Sequence, residues 1–223
     1  MKRAVVSRAL VAAVGPVLGL AVALAPAVAG AEVITFKLLP NYSRATFKSD
    51  APLETFVGNT AAEGIQGTLV ADPLRPQEAK GGVRVDMNLV KTGIEKRDAD
   101  MRSKGYLDTE VEANRWVTFE LKNVEIAGPL VLGTDVPAKL SGLLTVKQKP
   151  VPRVAGATLT WIKLTPEQVE AQKRFGFTAD NIKVRAKFST TFTDHGMQVP
   201  QLLIFKVNNE VQLETDLTFV RAQ

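Results

Sequence analysis

Ile182-Lys-Val-Arg-Ala-Lys-Phe-Ser-Thr-Thr-Phe192 decides the fold class. Ile182, Val184, Ala186, Phe188 and Phe192 fall on one side of this stretch, and Lys183, Arg185 and Lys187 on the other. Successive side chains of a strand point to opposite faces, so a two-residue period makes a strand with one apolar and one solvated face. A helix would space its apolar positions three or four apart. Working outward, the pattern recurs at Val211, Leu213, Leu217 and Phe219, and again at Val83, Val85, Met87 and Leu89. Residues 116–127 also read as a strand, but the apolar phase slips between Leu121 and Val124, as a β-bulge would cause. Shorter strands are expected near 33–38, 44–48, 64–71, 138–147 and 157–164. The total is about eight or nine, with turn signals between them.

Helical signals are few. Residues 52–57, preceded by Asp50 and stopped by Gly58, read as a short helix. A better one starts at Thr165, which can cap, with Pro166 at the first helical position and Gln168 completing a capping box. It should run to Phe175 and end at Gly176. Its faces are mostly polar, which places it on the surface or over an opening.

Many alternating strands and few helices give an all-β chain built on an antiparallel sheet with one apolar face. Such a sheet stacks as a sandwich or closes as a barrel, and the pattern admits both. Closure removes the exposed edges. An eight-stranded barrel can be filled by side chains or can hold one small ligand. Aromatic residues are only 6% of the chain and mostly Phe. An interior with so few polar handles suits a lipid better than a sugar or a nucleotide.

Composition narrows the classes further. The chain has 223 residues, 45% hydrophobic and 23% charged, too apolar for a disordered polymer. It has no cysteine, which excludes disulfide scaffolds and Cys-ligated metal sites. Lys2, Arg3 and Arg8 precede an apolar run over 9–24 and a small-residue stretch over 25–31. This is the layout of a secretory signal peptide at 1–29, cleaved after Ala29 or Ala31, with one domain following over 32–223. The run is short for a bilayer span, and Gly15 and Pro16 interrupt it. A periplasmic or secreted protein with no stable membrane span is therefore expected. Loss of the leader takes the net charge from +5 to +2, with the two signs interspersed, which argues against nucleic acid as a partner.

Few residues carry chemistry. The one histidine, His195, sits in Thr193-Asp-His-Gly-Met197 and reads as a polar turn closing the strand before it; Asp194 could also orient it as a base. No Gly-x-Ser-x-Gly, Gly-x-Gly-x-x-Gly or P-loop occurs, and no catalytic residue, metal site or cofactor is expected. Arg97-Asp-Ala-Asp-Met-Arg102 packs four charges into a short span. It is either a solvated turn in which Arg97 and Asp98 pair, or a place where Arg97 and Arg102 meet an anionic head group at a barrel mouth. Asp98-x-Asp100 lacks the other ligands of a calcium loop.

The stretch from Leu89-Val-Lys-Thr-Gly-Ile-Glu-Lys-Arg-Asp-Ala-Asp-Met-Arg to Tyr106-Leu-Asp108, followed by Val117-Thr-Phe119, resembles the signature of the YceI-like family. Phe56-Val-Gly58, Ile65-Gln-Gly67, Leu140-Ser-Gly-Leu-Leu-Thr-Val146 and Asn208-Asn-Glu-Val-Gln-Leu213 are similar to further family segments in the same order. The resemblance spans 34–220. It implies an extended, eight-stranded, lipocalin-like antiparallel barrel with one or two short helices. It also implies an exported, non-enzymatic protein that binds a polyisoprenoid or similar fatty amphiphile. The chain departs from the family where Asp100 replaces the motif's usual His, since an acid there would repel an anionic head group. It also departs at 150–180, which reads as longer than usual.

The function expected is thus binding of a long-chain amphiphile in an apolar bore, for transport, storage or envelope stress. The bore would be lined by Val83, Val85, Met87, Leu89, Val117, Phe119, Leu121, Ile182, Val184, Phe188, Val211, Leu213 and Leu217. The competing readings are an envelope interaction or stress protein without a stoichiometric ligand, and a hydrolase or isomerase using Asp98, Asp100 and His195. Oligomeric state is left open.

Overall fold

A computed structural model describes residues 32–60, 62–202 and 205–223; the expected signal peptide lies outside the described residues. Among the described residues, thirteen strands form in chain order. They are β1 (Ile34–Leu38), β2 (Arg44–Ala51), β3 (Glu54–Thr60), β4 (Ile65–Ala71), β5 (Lys80–Asp86), β6 (Val90–Lys91), β7 (Trp116–Ile126), β8 (Asp135–Val146), β9 (Lys149–Lys163), β10 (Asp180–Thr191), β11 (Gln201–Leu202), β12 (Phe205–Lys206) and β13 (Glu210–Arg221). Three short α-helices among the described residues join them: α1 (Glu95–Arg102), α2 (Glu112–Arg115) and α3 (Pro166–Gln172).

The sheet closes on itself. Strands β1, β4, β5, β7, β8, β9, β10 and β13 follow one another antiparallel, and β13 pairs back with β1 to complete an eight-stranded barrel. Three extra strands, β2, β3 and β6, continue from β13. The fork arises because β13 is long enough to serve two partners in succession. Its residues 212–216 pair with β2, and residues 219–221 pair with β1. The deciding stretch of sequence lies in β10, whose ladder with β13 runs unbroken from Asn181↔Val220 to Thr191↔Glu210. The phase slip in β7 is an irregular register between Leu121 and Asn123, as the sequence pattern requires.

One end of the barrel collects the turn between β2 and β3, the turn between β8 and β9, and the segments 87–115, 192–202 and 205–209. Lys147 Nζ donates to Tyr106 O at 2.6 Å, Gln148 Nε2 to Asn114 Oδ1 at 2.8 Å, and Asn208 N to Asp50 O at 2.6 Å. This end is the mouth of the barrel. At the far end, Leu130 N donates to Pro73 O at 2.8 Å, tying two loops across the opening.

Four local readings differ from the sequence expectation. Residues 52–57 are not a helix. They belong to β3, paired with β2 from Thr46↔Asn59 to Ala51↔Glu54. The β-branched residues Thr55, Val57 and Thr60 suit that ladder better than a helix. The strand expected over 83–89 ends at Asp86, whose carboxylate accepts from Asn88 N at 2.9 Å and turns 87–89 into a single 3₁₀ turn. The charged run at 97–102 is no open turn but most of α1, a helix whose polar sequence gives no apolar stripe to announce it. Much of 150–180 is strand, since β9 already starts at Lys149. Pro150 and Pro152 fit there because β9 pairs with β10 only from Gly156 onward, so their missing N–H groups face no second neighbour. The helix at 165 stands as the sequence requires. Its capping box is complete, and the 3₁₀ turn after it ends on Gly176 at φ 85°, where a side chain would be strained.

Candidate functional site

The barrel is hollow. A cavity of about 580 Å³ runs from the far-end residues Ala79 and Leu130 to the mouth-end residues Arg97 and Met197. That volume falls within the range of small-molecule sites, roughly 300–1,000 Å³. Its wall is overwhelmingly apolar. The alternation explains why the wall is apolar, but the hollow needs a further cause. Many inward positions are small: Ala45, Gly58, Ala71, Ala79, Gly81, Ala155 and Ala186. Two large rings are also recessed. A Cβ on Gly58 would lie 2.1 Å from Phe47 Cε1, and one on Gly142 would lie 2.6 Å from Phe119 Cζ. Each ring therefore occupies the space a neighbouring side chain would take, and stays against the wall instead of crossing the bore.

Polar groups gather at the mouth. Thr92 donates to Asp98 Oδ1 through its N–H at 2.8 Å and its hydroxyl at 2.6 Å. Burial pushes the Asp98 carboxyl up, but the two Thr92 hydrogen bonds, with Arg102 and Lys91 nearby, outweigh this and hold it below its ordinary value. Arg97 donates to Glu54 Oε1 at 2.6 Å and to Thr92 Oγ1 at 3.1 Å, and its guanidinium lies 4.8 Å from the Phe56 ring centroid. One face of the mouth is thus fixed by a charge pair between α1 and β3. On the other side, His195 is fully buried in the cavity wall. Its Nδ1 lies 3.1 Å from Lys149 O, so Nδ1 carries the proton, and Nε2 accepts from the Thr190 hydroxyl at 2.7 Å. Burial lowers the His195 pKa; the Lys149 carbonyl opposes this.

The sequence matches the model of the YceI-like domain over residues 36–219. The chain belongs to the YceI-like family. Solved structures with the same fold include BcnA of Burkholderia cenocepacia, at 13% identity and a TM-score of 0.61, covering 81% of this chain and 98% of that one. A polyisoprenoid-binding domain from Saccharophagus degradans, implicated in plant cell wall breakdown, aligns at 15% identity and a TM-score of 0.60, covering 85% and 99%. A Campylobacter jejuni YceI protein aligns at 15% identity and a TM-score of 0.56, covering 74% and 84%. At such identities the likeness shows the fold alone. No curated protein matches the sequence significantly.

In this YceI-like barrel, twelve of the thirteen expected lining residues reach the cavity: Val83, Val85, Met87, Val117, Phe119, Leu121, Ile182, Val184, Phe188, Val211, Leu213 and Leu217. Leu89 does not. The turn set by Asp86 sends it toward Gly64, where a Cβ would sit 3.1 Å from Leu89 Cβ. Of the two head-group candidates, only Arg97 lines the cavity. Arg102 is turned toward main chain, donating to Val90 O at 2.9 Å and Met87 O at 3.3 Å. It braces the mouth and does not face a ligand. Nor does Arg97 pair with Asp98, because Glu54 and Thr92 take their places.

The three residues of the enzymatic reading do not form a relay. Asp98 is bound by Thr92, Asp100 is paired with Lys96 on α1 at the half-exposed rim of the cavity, and His195 is bound by Thr190 and Lys149. Asp194 is held by Arg153 and does not orient the imidazole. Among the described residues no group of three or more His, Asp or Glu could hold a metal ion, and no helix is long and apolar enough to cross a membrane. Sequence reading missed Phe47, Ser49, Phe56, Met101, Leu107, Leu144 and Met197 on the wall. Phe47, Ser49 and Phe56 share the inward parity of β2 and β3 and would follow from a correct assignment of β3. Met101, Leu107 and Met197 stand on helix and loop, where no two-residue period marks them.

Proposed function

We propose that the protein is an exported carrier that holds a polyisoprenoid or a similar long-chain amphiphile in the barrel cavity. The observation that carries this reading is the apolar bore of about 580 Å³, in a family with a solved relative described as a polyisoprenoid-binding domain. The driving force is burial. Each methylene moved from water to an apolar wall contributes about 0.8 kcal/mol, so a long chain binds without many polar contacts despite the cost of ordering it. The leader-like segment at 1–29 supports export, and the absence of cysteine is compatible with it. Among the described residues, nothing in the mouth assembles a nucleophile, a base and an orienting group, which favours carriage over catalysis.

Organic extraction of the purified protein followed by mass spectrometry tests the reading. A near-stoichiometric amphiphile, or one exchangeable from vesicles doped with geranylgeraniol, is the expected result. Absence of both would remove the carrier role and leave the envelope-interaction reading. N-terminal sequencing of protein recovered from the cell envelope tests export, with a mature start after Ala29 or Ala31 expected.

A further inference from the structure

Ser49 lies on the inward face of β2, 3% exposed, and lines the cavity. Among the described residues its hydroxyl has no hydrogen-bond partner. A buried polar atom left unpaired is costly, and native proteins keep few of them. Other buried polar side chains at this end are satisfied: Asp98 by Thr92, Thr190 by His195, and Asn114 by Gln148. Ser49 is thus a hydroxyl held ready inside an otherwise apolar wall.

Its surroundings say what it would take. Ser49 pairs in register with Phe56, the residue whose ring carries the Arg97 guanidinium. The Arg97–Glu54 pair therefore stands just above it at the mouth. Among the described residues, both cations on the wall are engaged, Arg97 by Glu54 and Lys96 by Asp100, and Arg102 close by donates to main-chain carbonyls. Charged residues facing the cavity are Glu54 and Asp100 against Arg97 and Lys96, and each acid is paired with one of the bases. A phosphate or diphosphate would find no unpaired cation among the described wall residues and would have to break the Arg97–Glu54 pair. A hydroxyl or carbonyl would meet neither obstacle.

We propose that Ser49 is the polar anchor of the cavity, and that it selects amphiphiles with an uncharged oxygen-bearing end over anionic ones. This rests on the carrier reading and adds the head-group class to it. The ligand's oxygen accepts from, or its hydroxyl donates to, Ser49 Oγ beneath the Arg97–Glu54 pair, and the hydrocarbon runs down the bore.

Titration calorimetry of the purified full chain with geranylgeraniol, geranylgeranyl diphosphate and the headless hydrocarbon phytane tests this. Geranylgeraniol should bind at least about tenfold tighter than the diphosphate. Ser49→Ala should weaken geranylgeraniol about five- to tenfold, as loss of one hydrogen bond would, and leave phytane within about twofold. Because the variant removes an unpaired buried atom, the ligand-free Tm should not fall; a lower Tm would mark a structural role and overturn the assignment. Equal or tighter diphosphate binding would overturn the head-group class. An unchanged geranylgeraniol affinity, or an equal loss for phytane, would overturn Ser49 as the anchor while the carrier reading stood. Failure of all three probes to bind would overturn the carrier reading and this one with it.

Discussion

Strands β1 and β2 lie along the same neighbour, β13, one after the other, and both alternate inward and outward side chains. Yet they build opposite things. On β1, Ile34, Phe36 and Leu38 are 4%, 0% and 6% exposed, belong to the packed core and border no open space. On β2, Ala45, Phe47 and Ser49 all face the cavity. The barrel is solid beside β1 and hollow beside β2. Alternation is common to both, so it does not create the hollow. Residue size does, together with what lies across the ladder: Phe47 stands opposite Gly58 and lies back into the space there, while Phe36 stands between Leu69 of β4 and Arg221 of β13 and fills the interior.

The strongest way to break that contrast is to cut the same ring from each segment. Phe36→Ala should cost about 3–5 kcal/mol in denaturant unfolding, as large-to-small changes in a packed core do. Phe47→Ala should cost less than about 2 kcal/mol, because part of its surface already borders open space and its loss only widens a cavity that exists. Equal losses would mean that the two sectors are packed alike.

Next in size is the support of the mouth. Asp86 is 1% exposed and accepts from Arg115 at 2.6 and 2.9 Å and from Asn88 N. Burial would raise its pKa, but these hydrogen bonds more than offset that and lower it. Asp86→Ala should cost about 2–3 kcal/mol, less than breaking a fully buried pair since Arg115 reaches solvent, and should loosen the turn that presents Met87. Thermal unfolding, with proteolysis mapped around 87–115, would check both effects.

Gly58→Ala sharpens the contrast from the other side. The new methyl would sit where Phe47 Cε1 now lies, so the ring must swing into the bore. Geranylgeraniol affinity should fall about tenfold, roughly 1.4 kcal/mol, with the circular dichroism spectrum retained. Unaltered affinity would show that the recess does not keep the bore open.

Stability should also depend on pH in two separate windows. His195 has a lowered pKa in the folded state, so below the ordinary value near 6.5 the unfolded chain takes up a proton that the folded chain refuses. Stability should therefore be full above about pH 6.5 and decline as the pH falls below it. His195→Gln should remove that slope. Asp86 and Asp98, also lowered, contribute stability above about pH 4 that is lost as the pH falls further. Unfolding curves from pH 8 to 3 would separate the windows. The smallest effect belongs to the exposed Lys96–Asp100 pair on α1: Lys96→Ala should change stability by no more than about 0.5 kcal/mol.

Legibility in the sequence followed the periodicity. β10 and β13 pair over an unbroken ladder, and their inward residues Ile182, Val184, Phe188, Val211, Leu213 and Leu217 were all readable as bore lining. Reading failed where a side chain, not a repeat, sets the path. Asp86 folds its carboxylate onto Asn88 N and ends a strand that alternation would continue through Leu89. Arg97 finds Glu54, distant in sequence, in preference to its neighbour Asp98. The stretch 52–57 looked helical because a cap and a stop flank it, but the ladder offered by β2 outweighs that local signal.

Local order along the chain was enough for the all-β class, for the family signature between Leu89 and Asp108, and for twelve residues of the wall of the bore. These follow from a side-chain period and from residue types, which need no knowledge of what lies opposite. The hollow, the charge pair that closes one face of its mouth and the unpaired Ser49 hydroxyl came only with the closed sheet. Each depends on register, on which residue a strand pairing brings across from which, and register is fixed by contacts between segments far apart in the sequence.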